Sequence, residues 1–117
     1  MTFPDAALIP YWQRLMFPQN KDVDMTFTLA DPSTGLPYNL TGMTVNFWTK
    51  YSRNVPDTDP SARMYVCTVS EPLSGQATVN VPAANNTVAG ITWYRVDLVS
   101  SSETKAVRFG PLSTFSD

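Results

Sequence analysis

The chain has 117 residues, 43% of them hydrophobic, which is enough for one domain with one core and too few for two. Only 15% are charged, while proline reaches 10 residues and aromatics 12%, a balance that suits a turn-rich β protein and excludes long helices. Eight basic and ten acidic side chains are scattered to a net charge of −2, so no basic stripe awaits a phosphate backbone and nucleic acid is not an expected partner.

Residues 1 to 20 stand apart, with Pro4, Pro10 and Pro18 set among Phe3, Tyr11, Trp12, Leu15, Met16 and Phe17. The stretch lacks a basic start and its apolar run is broken by proline, so it does not read as a secretory signal and synthesis in a cytoplasm is expected. It is too apolar for a solvated tail, and the prolines oppose a continuous helix. An extended arm is the expectation, packed on its own domain or docked on a partner, with short strand character at Leu15 to Phe17. We divide the chain into a docking arm over 1–20 and a β-sandwich over 21–117. Deleting the arm should then leave a folded domain that fails to assemble.

From Lys21 the pattern is regular. Val23, Met25, Phe27 and Leu29 alternate with Asp22, Asp24, Thr26 and Thr28, the period of a half-buried strand. Asp31, Pro32 and Gly35 supply a turn, and the sequence around Asn39 to Gly42 launches a second strand over Met43 to Tyr51, with Met43, Val45 and Phe47 inward. Ser52 to Ser61 is a patternless loop. Ala62 to Val69 is a third strand whose core face is ambiguous, since Met64 and Val66 oppose Tyr65, Cys67 and Val69, and burial on both sides is expected. Ala77, Val79 and Val81 mark the next strand. Tyr94, Val96 and Leu98 point inward from another, and Val107 and Phe109 are the apolar positions of a last one. The sequons at Asn39 and Asn85 are read as turn chemistry.

Short strands, frequent turns and no helical segment predict an all-β fold, an antiparallel immunoglobulin-like β-sandwich of about seven strands preceded by the N-terminal arm. A small barrel or jelly roll is the alternative topology. No stretch approaches the roughly 20 apolar residues of a membrane-spanning helix, so a membrane is not an expected partner.

Chemistry is hard to place on these residues. With no histidine in the chain, the commonest general base and metal ligand is missing. No nucleophile elbow, phosphate-cradling glycine loop or nucleotide motif occurs, so we expect no enzyme, no cofactor and no metal site. Asp57 and Asp59 offer too few oxygens for a hard cation and read as solvated loop acids. Cys67 reads as strand filler, and Arg95 with Asp97 as an inconsequential surface pair. The outward tryptophans carry more information: Trp48 and Trp93 fall at polar-face positions of two strands, and on neighbouring strands they would form one patch suited to a partner. The alternatives are that residues 1–20 cover them or that they belong to the core.

Taken together, FPQNKDVDMTFTLADPSTGLPYNLTGMTVNFWTKYS and SGQATVNVPAANNTVAGITWYRVDLV resemble the immunoglobulin-like N-terminal domain of phage baseplate upper proteins and related small tailed-phage virion proteins, over roughly residues 17 to 112. The shared marks are Asn39, Leu40, Thr41 and Gly42 before an alternating strand, the small-residue turn at Ser74 and Gly75, and Gly90 ahead of Trp93 and Tyr94. The resemblance implies a non-enzymatic virion structural protein, made in the host cytoplasm, that anchors or adapts other virion proteins at a tail or baseplate. This sequence lacks the long region that follows the domain in baseplate proteins, and its size and arm suggest capsid decoration as the other placement. Either way the expected partners are capsid, tail or baseplate subunits, or copies of this chain in an oligomer or array. The expected interface comprises Phe3, Tyr11, Trp12, Met16, Trp48, Tyr65 and Trp93. The competing expectation is a carbohydrate- or receptor-binding module in which Trp48, Trp93 and Tyr65 stack on sugar rings.

Overall fold

The computed structural model describes residues 14–31, 34–52, 54–86 and 90–115, together with the backbone of Tyr11 and Trp12. Its strands are β1 (Tyr11–Trp12), β2 (Leu15–Pro18), β3 (Val23–Thr28), β4 (Thr44–Lys50), β5 (Arg63–Val66), β6 (Thr68–Glu71), β7 (Gln76–Val81), β8 (Gly90–Val99) and β9 (Thr104–Phe115). They form two sheets. The larger runs β1, β9, β8, β4, β5, with β2 also on β9, and the smaller runs β3, β7, β6. The described residues hold no α-helix, and no helix long and apolar enough to cross a membrane.

The alternation read in the sequence places the core. Phe27 and Leu29 are buried while Asp24, Thr26 and Thr28 face solvent, and Val45 and Phe47 are buried from β4. Val79 and Val81 of β7 and Tyr94, Val96 and Leu98 of β8 complete the interior. Phe47 has no exposed surface and is ringed by Phe27 at 5.7 Å, Tyr94 at 5.7 Å, Tyr65 at 6.0 Å and Phe17 at 6.5 Å between centroids. Offset and tilted aromatic packing of this kind adds attraction beyond the area it removes from water.

The N-terminal segment differs from the separate arm expected over 1–20. Tyr11 and Trp12 pair in parallel with Arg108 and Phe109, and Leu15 to Pro18 pair in parallel with Leu112 to Phe115. The larger sheet is therefore mixed rather than purely antiparallel. Phe17 is only 2% exposed, so this segment contributes a core side chain and the sandwich begins before residue 21. Residues 1–10, with Phe3, lie outside the described residues.

Asn86 secures this segment. Its side-chain N–H groups donate to the carbonyls of Pro18 at 2.6 Å and Lys21 at 3.4 Å, its side-chain oxygen accepts from the Thr114 hydroxyl, and its backbone carbonyl accepts from Asn20 N–H. Asn20 itself has φ of 62°, a left-handed conformation that asparagine tolerates better than most side chains.

The third predicted strand proves to be two, β5 on the larger sheet and β6 on the smaller, with the chain changing sheets at buried Cys67. It is not covered on both sides. Met64 and Val66 are exposed because β5 is a sheet edge, while Tyr65 turns inward onto Phe47.

The turn motifs have clear physical roles. Asn39 accepts from Thr41 N–H at 3.1 Å, Leu40 plugs the core at 1% exposure, and Gly42 turns the chain at φ 75° into β4. Gly75 sits at φ 69° so close to the Leu29 carbonyl that a Cβ would collide with it, and its own carbonyl accepts from Leu29 N–H. Backbone approach of this kind admits only glycine.

If β2 is part of the domain, Phe17→Ala should destabilise the fold by about 3–5 kcal/mol, as for other large-to-small core substitutions. Urea denaturation followed by tryptophan fluorescence measures this; an effect within about 0.5 kcal/mol, typical of surface positions, would restore the detached arm.

Candidate functional site

The outer face of the larger sheet carries most of the residues singled out from the sequence. In the β4–β8 register Trp48 lies opposite Arg95 and Lys50 opposite Trp93, so the two indoles stand diagonally on one face. Both are half-buried. The Arg95 guanidinium sits over the Trp48 ring at 5.3 Å from its centroid, a cation–π contact.

The same guanidinium makes two paired contacts. It donates to Asp97 at 2.8 and 2.9 Å and to Asp57 at 3.1 and 2.9 Å. Lys50 forms an ion pair with Asp57 and donates to the Val55 carbonyl at 2.9 Å. The loop between β4 and β5 is thereby pinned across the strands that carry the tryptophans. Arg95 and Asp97 are thus more than the inconsequential surface pair expected, since Asp97 is 5% exposed and shares its cation with Asp57. Forked Arg–carboxylate geometry fixes direction as well as charge.

Asp57 also departs from the expected solvated acid. Hydrogen bonds from Arg95 first, then Lys50, lower its carboxyl from 3.8 to about 2. Burial works against the Arg95 charge, yet its hydrogen bonds to Asp57 and Asp97 hold it above its ordinary value. Asp59 accepts from the hydroxyl and backbone N–H of Ser61, which lower its carboxyl. Among the described residues no group of three or more His, Cys, Asp or Glu side chains comes together to hold a metal. Cys67 is pushed up to about 12 by burial, which leaves it a thiol rather than a nucleophilic thiolate.

Beyond the pinned loop the same face turns apolar. Met16 on β2 lies beside Ser113 on β9, which lies beside Ile91 on β8, and Phe115 follows Ser113 at the next outward position of β9. Met16 is 62% exposed, Ile91 67% and Phe115 41%. Three strands thus bring large apolar side chains together at one corner of the sheet.

No protein-family model and no curated protein matches the chain. The likeness that exists is one of fold. The N-terminal domain of phage TP901-1 ORF48 matches 92% of this chain with 91% of its own, at a TM-score of 0.63. Identity is 8%, so the likeness concerns the path of the backbone and not the side chains on it.

Of the residues expected to form an interface, Met16, Trp48 and Trp93 share the outer face. Tyr65 does not. Its ring points inward against Phe47, and its hydroxyl accepts from the Asn85 amide at 3.2 Å. Tyr11 and Trp12 are placed by their backbone at the edge of β9. Ile91 and Phe115 were missed, because at strand ends the alternation has too few positions to assign a face. Asp57 was missed as a partner of Arg95 because 38 residues separate them.

Because Asp57 titrates lower in the fold than in the unfolded chain, its pairing contributes stability that is fully present above pH 3.8 and is lost as pH falls through about 2. Asp57→Asn should therefore lower stability at pH 7 by up to about 1 kcal/mol, the scale of a partly exposed pair. Urea midpoints measured against pH should show the gap between wild type and variant closing across that acid window.

Proposed function

We propose that this chain is a non-enzymatic structural protein of a tailed-phage virion, acting as a small adaptor that docks on another virion subunit through the outer face of its larger sheet. The observation that carries the reading is the corner of Met16, Ile91 and Phe115, three exposed apolar side chains aligned by strand register beside half-buried Trp93. A desolvated aromatic and aliphatic centre is the usual energetic heart of a protein interface. The Asp57–Arg95–Asp97 network borders the corner with fixed charge, which suits the polar rim of a docking face.

The phage assignment is supported by two independent likenesses. The turn and strand motifs resemble those of baseplate upper protein N-terminal domains, and the backbone is similar to a phage domain over nearly its whole length. The tail or baseplate is favoured over capsid decoration. The decoration reading rested on size and a free arm, whereas Tyr11–Trp12 and Leu15–Pro18 are strands of the sheet. Repetition in a symmetric assembly would multiply a modest contact at each copy.

The reading supposes no catalysis. Asp57 is committed to ion pairs, Asp59 to a turn, and Cys67 to the interior.

Ile91→Asp should leave stability within about 0.5 kcal/mol, since the side chain is already exposed. Incorporation into particles should fall by at least about tenfold, the loss of a central interface anchor. Quantitative mass spectrometry of purified particles gives the occupancy. Normal occupancy with Ile91→Asp and Met16→Asp combined would reject this face.

A further inference from the structure

A cleft of about 250 Å³ opens on the inner side of the larger sheet, on the opposite face of the strands from the docking corner. Its floor includes Phe17 and Leu112, and its walls include Tyr51, Arg63, Tyr65 and Asn85. Among the described residues, none of the lining side chains is a carboxylate, although acids outnumber bases in the chain.

The groups on the walls are poised outward from the protein's own bonding. Arg63 lies opposite Thr49 at the end of β5, and its side chain makes no hydrogen bond or ion pair among the described residues. Lys50, also in the lining, is already engaged by Asp57 and the Val55 carbonyl. The Tyr65 hydroxyl accepts from Asn85, which leaves its own proton to donate and the Asn85 carbonyl oxygen to accept. Tyr51 is 74% exposed at the mouth, an open aromatic face.

We propose that this cleft binds one acidic sugar unit, a pyranose bearing a single carboxylate or phosphate. The anion pairs with the forked donors of Arg63, an arrangement that guanidinium geometry favours. Ring hydroxyls exchange hydrogen bonds with Tyr65 and Asn85, and the C–H face of the ring lies against Tyr51. The volume is below the usual 300–1,000 Å³ of sites for larger ligands, which limits the occupant to about one ring. The site is separate from the docking corner, so it stands or falls independently of the structural role.

Chemical-shift titration of the nitrogen-15-labelled chain tests the proposal, using glucuronate, glucose 6-phosphate, glucose and inorganic phosphate. Saturable shifts at the amides of Arg63, Tyr65 and Asn85 are expected with at least one acidic sugar, and which one wins distinguishes carboxylate from phosphate. Glucose and inorganic phosphate should each bind at least about tenfold more weakly, and Arg63→Gln should cost about tenfold, the scale of one charged hydrogen-bonding partner. Tyr51→Ala, at an exposed position, should weaken binding without disturbing the fold and serves if Arg63→Gln fails to fold. The proposal is overturned by no saturation below about 10 mM with either acidic sugar, well beyond ordinary weak binding. Inorganic phosphate binding as tightly as the sugars, or unchanged affinity in the variants, would overturn it equally.

Discussion

Burial of the Phe47 ring is the contact on which the rest of the structure depends. Rings from β2, β3, β5 and β8 converge on it, so one side chain ties the N-terminal segment, the smaller sheet, the edge strand and the central strand of the larger sheet together. Phe27 is the contact that crosses between sheets. With Phe47 held inward by these rings, the inner face of β4 fixes which way its outer face must look. A strand has only two faces, and inward Phe47 obliges Trp48 to stand outward.

That obligation explains the outer face. An indole left open to water on a broad sheet would be a liability, and here the Arg95 guanidinium covers it while Asp57 and Asp97 hold the guanidinium. The loop before β5 is consequently drawn over the middle of the sheet. The corner at Met16, Ile91 and Phe115 has no such cover among these contacts. Under the proposed docking role, shielding at the centre and exposure at the corner together would confine contact to the strand ends.

Much of this was legible in the residues. The period-two alternation of β3, β4, β7 and β8 revealed the sandwich, and the Asn39 to Gly42 and Ser74 to Gly75 turns behaved as their chemistry requires. What escaped was pairing between distant segments. The parallel addition of Tyr11–Trp12 and Leu15–Pro18 to β9 brings distant segments of the chain together, and no local pattern announces it. Asn86 belongs to no alternating run, yet it holds that junction through Pro18, Lys21 and Thr114. Prolines argued for an arm because they exclude helix, but they do not exclude an edge strand. For the site, Trp48, Trp93 and Met16 could be picked out from patterning, whereas the ion network and the cleft at Arg63 depend on loop placement that only the fold supplies.

Methionine oxidation footprinting tests the docking account most directly, because Met16 and Met64 are both exposed on the outer face, at opposite edges of the larger sheet. The account predicts that dilute peroxide oxidises both in the free chain, and that in assembled particles Met16 becomes protected while Met64 stays reactive. Protection of Met64 with Met16 still reactive would place the interface on β5 and contradict it.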